Sequence, residues 1–88
     1  MLAEPQHRWV VDRPALLRRC REALLMSQAE LAAALYLRGG GRTVRLWEAG
    51  DRGVPGPAWV ALRFMLRERG EPGLAAAIDH QITVREAT

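Results

Sequence analysis

Lysine is absent from this 88-residue chain, cysteine occurs once, and aromatic residues make up only 6%. The lone Cys20 excludes an internal disulfide and points to a reducing compartment, the cytoplasm. Without lysine there is no P-loop. The glycine-rich stretch GGGRT at 39–43 lacks both the lysine and the preceding strand that phosphate cradling of that kind requires. No apolar run is long enough to cross a bilayer, and no signal peptide opens the chain. No nucleophile stands at a recognisable spacing from a base, and no carboxylates are paired in an apolar setting. His7 and His80 are isolated, so no metal site is expected. These absences weigh against an enzyme, a metalloprotein, a membrane protein and any cofactor.

Hydrophobic residues make up 49% of the chain, which argues for a folded protein. A single domain of this size buries a modest core, so an oligomeric partner would help it. The formal charge is +3 and the isoelectric point about 10.4, a mild excess that fits an anionic partner without identifying one. All thirteen basic residues are arginine. A compositional bias of the genome accounts for that more simply than a functional demand.

Patterning predicts a succession of short helices. The first eleven residues, MLAEPQHRWVV, lack a helical period and read as an arm or a short strand, with Trp9 suited to packing over the core. Asp12 and Pro14 mark the start of a helix reaching about Met26, with Leu16, Leu17, Cys20, Ala23 and Leu24 as its buried stripe. Arg13, Arg18, Arg19 and Glu22 fall nearer solvent. Ser27 and Glu30 form an S-x-x-E capping box that opens a second helix. Leu31, Ala32 and Leu35 share its inner face, and Ala29, Ala32, Ala33 and Ala34 allow another helix close. Gly39, Gly40 and Gly41 are expected to end it.

A third helix is expected from about Arg42 to Ala49, with Val44 and Trp47 inward and Gly50 as a left-handed cap. Arg42, Thr43, Arg45 and Leu46 are left outside. The turn-rich DRGVPGP leads into a fourth helix, launched by Gly56 and Pro57 and ended by Gly70. Val60, Ala61, Phe64 and Met65 form its expected buried stripe, and Trp59 is read as a packing residue. In the tail, Leu74, Ala77 and Ile78 follow helical spacing, then Ile82 and Val84 follow strand spacing. The fold class is therefore all-α, a compact four- to five-helix bundle with room for a short terminal β-strand. Its organisation is an arm (1–11), a helical domain (12–69) and a tail (70–88).

Two short helices joined by a turn, the second presenting arginines and a threonine, suit insertion in a DNA major groove. The guanidinium fork matches the O6/N7 acceptor pair of guanine. The segments S-Q-A-E-L-A (27–32), T-V-x-x-W-E-x-G (43–50) and V-P-G-P-x-x-V-A-L (54–62) resemble the helix-turn-helix of the Cro/C1, or Xre, family of phage and bacterial DNA-binding regulators, which are lambda-repressor-like in fold. The resemblance covers roughly Asp12 to Arg69.

It implies a phosphate contact for Gln28 and base-facing positions for Gly41, Arg42, Arg45 and Leu46. Thr43 would help seat the helix on backbone oxygens. Arg38 in the turn and Arg52 in the following loop are further candidates for phosphate, and His7 with Arg8 for a minor-groove contact by the arm. The resemblance also pairs Arg21 with Glu48 as a partly buried strut, which with Trp47 belongs to the scaffold. Family members bind as dimers to half-sites about one DNA turn apart. The apolar tail either folds back on the monomer or pairs with a second copy. The dimeric habit of the family favours pairing, with Leu74, Ile78, Ile82 and Val84 as interface residues.

The turn departs from the family pattern. Arg38 to Arg42 make it two residues longer, and the third helix is capped either by a glycine or by Thr43. The glycines either bring bare amides to a phosphate or make no contact at all. The expected function is a dimeric (auto)repressor acting on an inverted-repeat operator, of the kind encoded in phage or beside toxin or anti-CRISPR genes, cytoplasmic and nucleoid-associated. The alternative is a protein-interaction module that keeps the helix-turn-helix fold without specific DNA binding. No small-molecule ligand is evident.

Overall fold

The computed structural model describes residues 12–87, with side chains through Gln81, so the expected arm lies outside the described residues. Five α-helices follow one another: α1 (Arg13–Ala23), α2 (Gln28–Ala34), α3 (Gly41–Ala49), α4 (Gly56–Arg69) and α5 (Pro72–Ala87). Among the described residues there is no strand.

Each start has a local cause. Asp12 Oδ1 accepts the Ala15 amide at 3.2 Å, and Pro14 occupies the first turn of α1, where a missing N–H costs nothing. The capping box at α2 is complete: Glu30 N–H donates to Ser27 Oγ at 3.0 Å, and Ser27 N–H to Glu30 Oε1 at 2.8 Å. Glycine caps α3, the residue being Gly40, whose φ of 63° few side chains would allow.

The ends of α1 to α4 share one device. In each, an amide bonds back across five residues: Met26 to Arg21, Leu37 to Ala32, Asp51 to Leu46 and Glu71 to Leu66. A shorter bond from the preceding residue accompanies every one, which is the Schellman arrangement. It requires a left-handed residue, supplied by Gly50 and Gly70 but also by Leu25 and Tyr36, at φ 59° and 57°. Helix α1 consequently stops at Ala23, short of Met26. Helix α2 stops at Ala34, five residues before the glycine triplet that was expected to end it.

Leu16, Leu17, Cys20 and Leu24 from α1, Leu31 and Ala32 from α2, and Val44 and Trp47 from α3 build one core with Val54, Trp59, Leu62, Leu66, Ala75 and Ile78. Helix α2 packs chiefly on α3, α1 on α3 and α4, and α4 on α5. Burial pushes the Cys20 thiol up to about 12, so at neutral pH it is a protonated, inert core residue.

Two readings of the C-terminal half are corrected. The buried stripe of α4 is Trp59, Leu62 and Leu66, whereas Val60 and Phe64 face solvent. Both stripes have helical spacing, and only the position of α5 decides between them. The tail is one continuous helix through Ala87, so Ile82 and Val84 lie in α5 and form no strand. Ile78 is fully buried inside the monomer, and Leu74 packs partly against the same core. The tail folds back on α4, and Ile78 is not an interface residue. Arg63 and Arg67 on α4 both hold Asp79 on α5, at 2.8 and 3.2 Å.

Candidate nucleic-acid interface

Helix α3 is two-faced. Val44, Trp47 and Glu48 are buried, Thr43 and Leu46 are half-buried, and Arg42 and Arg45, three residues apart, stand exposed side by side. Arg38 in the turn before α3 and Arg52 in the loop after it are exposed as well. Among the described residues, none of these four arginine side chains makes an ion pair or hydrogen bond. Five guanidinium N–H groups on each are therefore available to an outside acceptor.

The glycine triplet holds this face in place, each residue for its own reason. A side chain at Gly39 would collide with Thr43 Oγ1, so the threonine hydroxyl is tucked against the turn. Gly40 takes a positive φ of 63° with an extended ψ, a backbone conformation open to glycine. At Gly41 a Cβ would lie 3.1 Å from the Ala29 amide nitrogen and 3.2 Å from its Cα, so α3 crosses α2 at backbone contact. The triplet is thus a packed turn and not a loose insertion. A larger residue at Gly41 would push α3 away from α2.

The far end of α3 is anchored by Glu48. Arg21 Nε donates to Glu48 Oε2 at 2.5 Å and Arg21 Nη2 to Oε1 at 3.1 Å, a forked pair, while Arg21 Nη1 also caps the Met26 carbonyl at 3.0 Å. Gln28 Nε2 donates to Glu48 Oε1 at 3.1 Å, and Arg18 Nε lies 3.7 Å from the same oxygen. Burial alone would raise the Glu48 pKa. The hydrogen bonds from Arg21 and Gln28 and the charges of Arg21 and Arg18 outweigh it, holding the carboxyl below its ordinary value. The bond to Glu48 likewise raises Arg21, against some loss from its own burial.

No family model, curated protein or solved structure matches the chain.

Arg42 and Arg45 lie on the exposed side of α3, Arg38 in the turn before it and Arg52 in the loop after it, while Trp47 and Glu48 are buried on the opposite side and Arg21 is half-buried against Glu48. Gln28 is divided between the two groups. One amide hydrogen is committed to Glu48, which orients the side chain and leaves the second hydrogen for another acceptor. Two residues escaped the sequence reading. Arg18 reaches Glu48 while keeping its side chain 58% exposed. Tyr36 is 93% exposed in the turn, two residues before Arg38. A lone tyrosine at a helix end beside basic residues was the available signal for the second; nothing in the spacing signalled the first. Among the described residues no group of acidic, histidine or cysteine side chains could hold a metal, and no helix is long and apolar enough to cross a membrane.

Proposed function

We propose that this chain is a sequence-specific, double-stranded DNA-binding regulator that inserts α3 into the major groove and acts as a dimer on an inverted repeat. The observation that carries the reading is the row of exposed, unpaired arginines along and beside a helix whose opposite face is fixed in the core. The resemblance of residues 12–69 to Cro/C1-type regulators supports it. In this reading Arg42 and Arg45 meet base edges, each contributing about 1–3 kcal/mol of discrimination if bidentate to guanine. Leu46 meets a thymine methyl. Arg38, Arg52, Thr43 and the free hydrogen of Gln28 hold phosphates. A regulator of this size fits autorepression of a phage or mobile-element operon, including operons that carry toxin or anti-CRISPR genes.

Selection from a random duplex library, with sequencing of the bound fraction, is the test. Enrichment of an inverted repeat is expected. Arg42→Ala and Arg45→Ala should then relax specificity at single positions, whereas Arg52→Ala should weaken all sequences alike and lower the salt slope by about one unit. Enrichment of nothing by folded protein would sink the proposal and favour the protein-interaction module.

A further inference from the structure

Glu48 gathers more donors than it can satisfy. Its Oε1 accepts hydrogen bonds from Arg21 Nη2 and Gln28 Nε2, each at 3.1 Å, and Arg18 Nε lies 3.7 Å from the same atom. Arg18 is held there by charge alone. Among the described residues it makes no hydrogen bond, and its side chain is 58% exposed. Its five N–H groups stay open to an outside acceptor, as does one Nε2 hydrogen of Gln28. The charges around Oε1 do not cancel. Two guanidiniums face one carboxylate that is 3% exposed, and Glu22, exposed one turn along α1 from Arg18, forms no ion pair with either arginine. The excess is one positive charge, on the arginine nearer solvent.

We propose that Arg18 is a further DNA contact, and that it holds one backbone phosphate together with Gln28. The inference rests on the proposed insertion of α3 in the major groove and adds to it a residue of α1. Glu48 belongs to the last turn of α3, which Arg52 follows, so Arg18 and Gln28 are tied to that end of the helix. A phosphate diester suits the pair in charge and in shape. Its single negative charge matches the single excess positive one, and its two free oxygens can accept from a guanidinium and an amide that stand side by side. The buried carboxylate is then an orienting group. It occupies Arg21 with a forked pair, and it sets Arg18 and Gln28 next to one another with donors unspent.

Binding of the full chain to the duplex recovered by the library selection, measured over a range of salt with an unrelated duplex alongside, is the test. Arg18→Gln should weaken binding to both duplexes about five- to tenfold and lower the salt slope by about one unit, whereas Arg18→Lys should keep the slope. A merely supporting role for Arg18 would lower the melting temperature and leave the slope unchanged. The melting temperature should instead move little, because the contact with Glu48 is long and the arginine largely exposed. Combined with Gln28→Ala, Arg18→Gln should cost less than the product of the two single effects, since both loosen the grip on one phosphate. Parent-like affinity and slope in Arg18→Gln, or independent effects in the double variant, overturn this inference and leave the proposed function standing. A parent chain that binds no duplex overturns both.

Discussion

Leu25 and Tyr36 close α1 and α2 in the conformation that Gly50 and Gly70 adopt at the ends of α3 and α4. A side chain there costs on the order of 1 kcal/mol relative to glycine. At Leu25 little is returned, because the side chain is 75% exposed. Leu25→Gly should therefore stabilise the fold by about 0.5–1 kcal/mol, read as a higher midpoint in thermal or urea denaturation. The glycines themselves were conspicuous in the sequence, but their purposes were not. Gly40 answers a backbone angle, whereas Gly39 and Gly41 answer contacts with Thr43 and Ala29, and contacts of that kind are set by how α3 crosses α2.

Between elements, Glu48 joins three helices through Arg18, Arg21 and Gln28. Its folded pKa is depressed, so the stability it contributes is present above the ordinary glutamate value of about 4.3 and is lost as pH falls through the lower folded value. Glu48→Gln should cost about 2 kcal/mol near neutral pH, with Arg21 left half-buried beside a neutral amide. The difference from the parent should narrow on acidification below the ordinary glutamate range and vanish once pH has fallen through the depressed folded pKa, where the parent's carboxylate is itself protonated. Chemical denaturation at several pH values checks both statements. The Arg21–Glu48 pair is implied by the resemblance, and the structure holds it. That Gln28 is the third partner required the N-terminus of α2 to meet the C-terminus of α3, which no spacing along the chain encodes.

At the scale of the whole molecule, α5 is the lid of the core and not an appendage. Ala75, Ile78 and Gln81 are buried, and Asp79 is clamped by two arginines of α4. Removing residues after Gly73 should expose Leu62 and Leu66 and cost several kcal/mol, comparable to the total stability of a chain this small. The truncated protein should lose its cooperative thermal transition and its dispersed amide spectrum, instead of yielding a folded monomer. A truncated chain that melts as cooperatively as the parent would show that α5 is dispensable.

Helix starts were legible residue by residue, because capping chemistry at Asp12 and at the Ser27–Glu30 box is local and survives in any context. The inward faces of α1 and α3 were legible too, since only one apolar stripe exists on each. Helix α4 has two, Val60–Phe64 and Trp59–Leu62–Leu66, and local spacing cannot rank them. Likewise Ile82 and Val84 fit a strand by alternation until the preceding turns of α5 dock on α4 and carry the helix onward. By itself the sequence determined where α1 and α2 begin and that arginines line α3. Only tertiary structure decided which face of α4 is core, because burial depends on the neighbour that covers a face and not on the residues that compose it.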